Sequence, residues 1–312
     1  MGGAARDPTV RTGDGSAIAR RGRRRPSPFI AEAIDAPAPV PAPAVDVISR
    51  LAPQAPKRAR AVQRRADDGA LRLSFSQLDD YLSCPARYRL RYVVGLPTPP
   101  HHALAYGSAM HQAVAAFHLR RAEGVAMSED ELIGAFAAAW SPEGYLSREH
   151  EEARFAAGCD ALRTFRAQQL ASEAHTVAIE RPFSFSVGQD VVRGRMDRLD
   201  STPEGVVIVD YKSSNVPDQA KADARARESL QLQVYALAHE ADTGRLPSEM
   251  QLHFLDSATI GRTAPDAERL GRAREKIAAV ASGIRAGDFP ARPNPVACGY
   301  CPFRDVCPSS AA

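Results

Sequence analysis

Glu180, Asp197 and Asp210 are the residues of this chain best able to do chemistry together, and one of its four lysines, Lys212, follows the last of them by two positions. Residues 191–199 and 206–212 read as two strands, with Thr202-Pro203-Glu204-Gly205 as the turn between them. A hairpin symmetric about Pro203-Glu204 sets Asp197 directly opposite Asp210, with Cβ atoms ~5 Å apart. Period-two alternation brings Lys212 to the same face. A second hairpin centred on Gly188-Gln189 sets Glu180 opposite Asp197 on the other side. The β-meander over residues 176–214 is therefore expected to line three acids across three strands.

Carboxylates facing one another destabilise a sheet unless something offsets their repulsion. A divalent cation would do so, and hard carboxylate oxygens suit Mg²⁺ or Mn²⁺. An ion held by two acids with open positions can take a phosphate and a water together, with Lys212 orienting or deprotonating that water or steadying charge on the phosphate. An ordinary solvated acidic face is the competing reading, because Asp-x-Lys alone is a common triplet.

Two helices have to position the remaining groups. Gly107-Ser108-Ala109-Met110-His111 opens a helical stretch that runs on through Val114, Ala115 and His118, with Gly107 and His111 on one face. A glycine there permits close approach of a substrate backbone, and the imidazole of His111 adds a nitrogen ligand that admits Mn²⁺ beside Mg²⁺. Gln231-Leu232-Gln233-Val234-Tyr235 begins a second helix, in which Gln231 and Tyr235 lie one turn apart and offer uncharged donors to a phosphate or a base edge. Taken singly, each is also what an ordinary amphipathic helix contains.

The segments G-S-A-M-H, G-R-M-D-R-L, V-D-Y-K-S-S and Q-L-Q-V-Y, in this order, resemble the motifs of the RecB-type nucleases of the PD-(D/E)XK superfamily, over about residues 71 to 308. The resemblance implies an α/β fold with a mixed central sheet flanked by helices, and DNA as substrate. It also implies that His111, Asp197 and Asp210 bind metal with the Tyr211 carbonyl as a further ligand, and that Lys212 is the catalytic lysine. Glu180 matches a more variable acidic position, and Gln231 and Tyr235 match the helix after the core sheet.

Four of the five cysteines form a second pattern: Cys84 stands alone, while Cys298, Cys301 and Cys307 cluster far downstream, and Cys84, Cys301 and Cys307 each precede a proline. Structural zinc sites more often draw two close pairs, whereas one-plus-three spacing with Cys-Pro steps suits a [4Fe-4S] cluster, zinc remaining the alternative. The spacing resembles the iron-sulfur staple of AddB-type nucleases and of some CRISPR adaptation exonucleases. No apolar signal segment opens the chain, so a reducing, cytoplasmic setting without disulfides is expected. Cys159, in a helical pattern, reads as a small core residue.

The supporting elements follow from the usual signals. Ser76 is expected to cap a helix with Leu78 and Leu82 facing inward, and Pro85 to restart a turn carrying Tyr88 and Tyr92. Residues 127–172 read as helices with Trp140 and Phe165 as core anchors. Residues 265–286 read as another helix, ended near Gly287 and Pro290.

Composition excludes some classes. With 44% hydrophobic residues in 312 the chain can bury a full core, and no run approaches the ~20 apolar residues of a membrane span. Net charge is +3, yet residues 1–70 hold 13 basic and 7 acidic residues, so the remainder is slightly acidic and would have to concentrate its arginines along any nucleic-acid channel. Residues 1–70, with the alternating prolines of 37–43 and the arginines of 20–25, are expected to be a disordered tail, and residues 71–312 the folded domain. Arg23-Arg24-Arg25-Pro26-Ser27-Pro28-Phe29-Ile30 resembles the closing segment of a UvrD-like superfamily 1 helicase, which implies a helicase partner. No lysine follows a glycine here, so a phosphate-binding motor loop is absent. The sum of these expectations is a Mg²⁺- or Mn²⁺-dependent DNA nuclease, an exonuclease or end-processing enzyme on single strands in repair or recombination. A non-cleaving DNA-end scaffold for a helicase and a CRISPR spacer-trimming nuclease stand as alternatives.

Overall fold

In the computed structural model, residues 69–311 are described; the tail expected over residues 1–70, with its helicase-like segment, lies outside the described residues save for its last two positions. The folded region is α/β, with one mixed six-stranded sheet flanked by helices.

The sheet is built around β3 (Asp190–Thr202), thirteen residues long. One edge of β3 pairs antiparallel with β2 (His175–Val187) over nearly its full length, with partners from His175–Ser201 to Val187–Asp190. Two strands share the other edge: β1 (Arg72–Ser74) runs parallel to the start of β3, from Arg72–Val191 to Ser74–Arg193. β4 (Gly205–Lys212) runs antiparallel to its end, from Arg198–Val209 to Thr202–Gly205. Between them, the β3 edge from Gly194 to Asp197 has no strand beside it. β5 (Glu249–Phe254) then adds parallel to β4, and β6 (Thr259–Thr263) closes the sheet antiparallel to β5.

Both hairpins keep the registers that symmetric two-residue turns dictate, and Asp197 is the next residue toward Asp210 beyond the last β3–β4 pair. The β2 strand is not regular, however. Its register shifts between Thr176 and Ala178, and Glu180 has φ 50°, a left-handed conformation that removes it from the ladder opposite Asp197. A simple row of three cross-strand acids is therefore replaced by a bulged one.

Helices pack on both faces of the sheet. On one side, α1 (Phe75–Ser83), α7 (Leu230–Thr243) and α8 (Ala267–Ala286) bury Leu78, Val234 and Ile277 against Val192, Leu199 and Ile208 of the sheet. On the other, α3 (His102–Ala122), α4 (Glu129–Ala139) and α5 (Arg148–Leu170) bury Phe117, Phe136 and Phe165 against Val207, Val209 and Tyr211. Alternation along β4 thus sends odd residues to one core and even ones to the other, which aims Asp210 and Lys212 toward α7. Ser74 rather than Ser76 caps α1, in a capping box with Gln77, because β1 runs straight into the helix and leaves Ser74 in the extended conformation a cap requires. Cys84 ends α1, Pro85 starts the short α2 (Pro85–Tyr88), and a π-helical turn (Arg89–Val94) follows. α6 (Gln219–Glu228) lies beside β6, α8 ends at Gly287 with φ 70°, and α9 (Pro295–Gly299) carries Cys298. Cys159 is buried among the apolar residues around α5, as expected of a small core residue. No helix among the described residues is long and apolar enough to cross a membrane.

Candidate functional site

The site forms where β3 and β4 part. The ladder ends at Arg198–Val209, so the next amide, that of Tyr211, would be left without a strand partner; it donates instead to Asp197 Oδ2 at 2.9 Å. This bond turns Asp197 toward Asp210. Asp210 is fully buried, yet neither carboxylate oxygen accepts a hydrogen bond of good geometry from a described residue. Its charge is met by Lys212 Nζ, 2.7 Å from Oδ2. Lys212 reaches it because residues 210 and 212 share a face of β4, and it is held in place by Gln231 Oε1 at 2.6 Å. Gln231 Nε2 in turn donates to Tyr235 Oη at 2.7 Å, one turn along α7.

His111 arrives from the opposite face. Tyr106, Met110, Val114 and Phe117 bury one side of α3, which leaves His111 on its flank, with Nδ1 3.4 Å from Asp197 Oδ2. A Cβ on Gly107 would come within 3.0 Å of Ser213 Oγ, so the residue one turn before His111 is small because the chain leaving β4 passes it closely. Glu180 lies near enough for its charge to act on Asp197, but its carboxylate is also paired with Arg195 at 3.3 Å.

Electrostatics mark the two aspartates as a strained pair. Burial first, and the adjacent Asp210 carboxylate second, push the Asp197 carboxyl up to about 6; His111 and the Tyr211 amide pull the other way, and Glu180 adds a small push. Burial together with the same two acids holds the Tyr235 phenol far above its ordinary value, so it stays a neutral donor. A fully buried carboxylate lacking hydrogen bonds and a largely buried one, with an imidazole beside them, form a donor set that suits a hard divalent cation. Among the described residues, no three His, Cys, Asp or Glu side chains converge tightly enough to enclose a metal ion as they stand.

Beneath the site lies a buried polar network that sequence reading missed. Arg198 Nη1 stands 2.7 Å from Tyr211 Oη, 2.8 Å from Gln169 Oε1 and 2.9 Å from His118 Nε2, and Nη2 pairs with Asp200 at 2.9 Å. Burial and the Arg198 charge hold His118 down to about 2, so it is a neutral partner. The network fixes the Tyr211 ring on the face of β4 opposite Asp210 and Lys212. Its signal was available in Arg198-Leu199-Asp200, two charges on the face of β3 that should have been core.

The four cysteines meet at one cavity between the end of α1 and the segment after α8, lined by Cys84, Cys298, Cys301 and Cys307. Backbone amides of Arg292 and Asn294 point at Cys84 Sγ and Cys298 Sγ, each at 3.5 Å, and the amides of Ala311 and Asn294 push the Cys298 thiol down. N–H groups aimed at sulfur stabilise thiolate, the form that binds a cluster or zinc. The segment is anchored independently by Arg292 Nη1, which donates to Leu82 O at 2.7 Å, and by buried Phe303.

Known proteins resemble this chain in sequence and fold. The gene 69 proteins of Mycobacterium phages L5 and D29 are each 25% identical to this chain over 75% of its length, covering 95% and 96% of their own. A putative exonuclease from Eubacterium rectale, known from a crystal structure, is 13% identical, covers 70% of this chain and 83% of its own, and superposes with a TM-score of 0.44. The model of the PD-(D/E)XK nuclease superfamily matches residues 72–308, the whole span that carries the sheet, the aspartate pair and all four cysteines, and the chain belongs to that superfamily.

Proposed function

We propose that this chain is a Mg²⁺- or Mn²⁺-dependent nuclease that processes DNA ends, acting as an exonuclease on single strands in repair or recombination beside a superfamily 1 helicase. The observation that carries the reading is the buried Asp197–Asp210 pair with Lys212 held 2.7 Å from Asp210. His111, Asp197, Asp210 and the Tyr211 carbonyl would hold the ion. When bound, it supplies Lewis acidity to a phosphate oxygen and makes a bound water a better nucleophile. Gln231 keeps Lys212 Nζ fixed, and the lysine is thereby positioned to orient the attacking water or to meet charge developing on the phosphate. Tyr235, protonated throughout, steadies Gln231. The Arg198 network holds Tyr211, and through its backbone the spacing of Asp210 and Lys212.

Purified protein is expected to shorten labelled single-stranded DNA with Mg²⁺ or Mn²⁺, and Asp210→Ala or Lys212→Ala to lower the rate by at least ~10²-fold. Variants that cut as fast as the parent would overturn the assignment. A parent that shifts DNA on a gel but never shortens it, with either metal, would instead support a scaffold, and faster cutting of RNA would change the substrate.

We also propose a [4Fe-4S] cluster, with zinc as the alternative, held by Cys84, Cys298, Cys301 and Cys307, a reading favoured by their lining one cavity. Its role is to tie the two ends of the domain together.

A further inference from the structure

An open groove of about 1150 Å³, much of it continuous with solvent, lies along the outer face of β1, β3 and β2, lined by residues that include Arg72, Ser74, Ser184, Arg193 and Arg195. No helix among the described residues covers this part of the sheet: Arg72, Arg193, Gly194 and Arg195 are all exposed, whereas Leu73 and Val192 beside them are buried on the opposite face. The groove follows from the topology. β1 ends beside Arg193, the pairing of β3 with β4 starts at Arg198–Val209, and the intervening stretch of β3 leads straight into Asp197.

Its charge stands out by position. Several surface arginines are neutralised, as in Arg148–Glu152, Arg163–Glu129, Arg272–Glu268 and Arg274–Glu240, and others such as Arg225, Arg227 and Arg245 are exposed without an ion pair, but those of the groove lead to the aspartate pair. Arg72 and Arg193 make no ion pair or side-chain hydrogen bond with any described residue. Arg195 is paired only with Glu180, the acid whose field reaches Asp197. Residues 71–312 carry more acids than bases, so two unpaired guanidinium groups in one groove beside the aspartate pair form a local basic patch that invites a polyanion.

We propose that this groove carries one strand of DNA toward the aspartate pair, with Arg72 and Arg193 on successive phosphates and Arg195 at the step into the site. The inference rests on the nuclease reading of that site and adds the path by which substrate reaches it. Arg193 and Arg195, two residues apart on one strand, have Cα atoms ~6.6 Å apart along one line, an arrangement that suits a single phosphate backbone. Ser74 and Ser184, partners of Arg193 on either side, add neutral donors for the same phosphates.

The test is fluorescence anisotropy of the full chain with labelled single-stranded DNA in EDTA, over a series of salt concentrations. Each lost phosphate contact on a single strand lowers the slope of log K against log salt by ~0.7, so the double variant Arg72→Gln, Arg193→Gln is expected to lose ~1.4 from the slope and to bind more weakly at every salt concentration. Both side chains are exposed, so its melting temperature should match the parent's. Arg272→Gln, on the far helix α8, should keep the parental slope. An unchanged slope in the double variant, a parent that captures no single strand at low salt, or a loss confined to duplex DNA would each overturn the groove. Failure of the nuclease reading looks different: arginine-dependent capture would persist while no strand is shortened. Failure of the groove alone would leave Asp210-dependent cutting intact.

Discussion

At the scale of single residues, the aspartate pair sets the pH behaviour. A carboxyl raised from 3.8 to about 6 binds its proton more tightly in the folded chain than in the unfolded one. Its contribution to stability is therefore fully present below about pH 4 and is lost as pH rises through about 6; above that, the ionised pair costs the fold something on the order of 1–3 kcal/mol. Asp197→Asn removes the charge and keeps an oxygen for the Tyr211 amide. It should raise the melting temperature in EDTA at pH 8, with the gain shrinking toward pH 5. Mg²⁺ should raise the melting temperature of the parent and leave the variant unmoved, since the ion offsets the same repulsion. Calorimetry at the two pH values checks both statements; a variant no more stable than the parent at pH 8 argues that Asp197 is already fully compensated.

At the scale of elements, close approach decides which glycines are fixed. A Cβ on Gly261 of β6 would lie 2.1 Å from the Ala222 carbonyl oxygen of α6, so Gly261→Ala must push helix and strand apart and should cost about 1–3 kcal/mol. Gly271, inside α8 with open space where its Cβ would point, should behave oppositely, Gly271→Ala adding about 0.5–1 kcal/mol through helix propensity. Thermal denaturation of the two variants is the measurement. Elements were also where the sequence spoke most clearly. The registers of both hairpins follow from turn length alone, and the helices bearing His111 and Gln231 follow from their periodicity. What stayed hidden depends on contacts distant in sequence. The left-handed Glu180 bulge, the cap at Ser74 imposed by β1 joining a strand more than a hundred residues away, and the Arg198–His118–Gln169 network each need partners that no local pattern announces.

At the scale of the whole molecule, the cysteine cavity joins residue 84 to residues 298–307 across the intervening sheet. If a metal group is held there, Cys84→Ser should lower the melting temperature by several degrees and open the 292–308 segment to protease. It should also abolish any broad visible absorbance of anaerobically purified protein that dithionite bleaches. Stoichiometric zinc in a colourless protein would replace the cluster with a zinc staple of similar mechanical effect. The loss should be partial, because Arg292 on Leu82 and buried Phe303 hold the same segment without metal.

The meander itself has a kinetic consequence. Glu180, Asp197, Asp210 and Lys212 all sit on β2, β3 and β4, joined by two-residue turns, whereas β1 and the helix of His111 must close long loops to reach them. Short-range pairing forms early on the way to the native state, so the chain brings its mutually repelling carboxylates together before the histidine flanking them has docked. The carboxylate pair proposed to bind a divalent ion is thus also a brake on the chain's own refolding, released by protons or divalent ions.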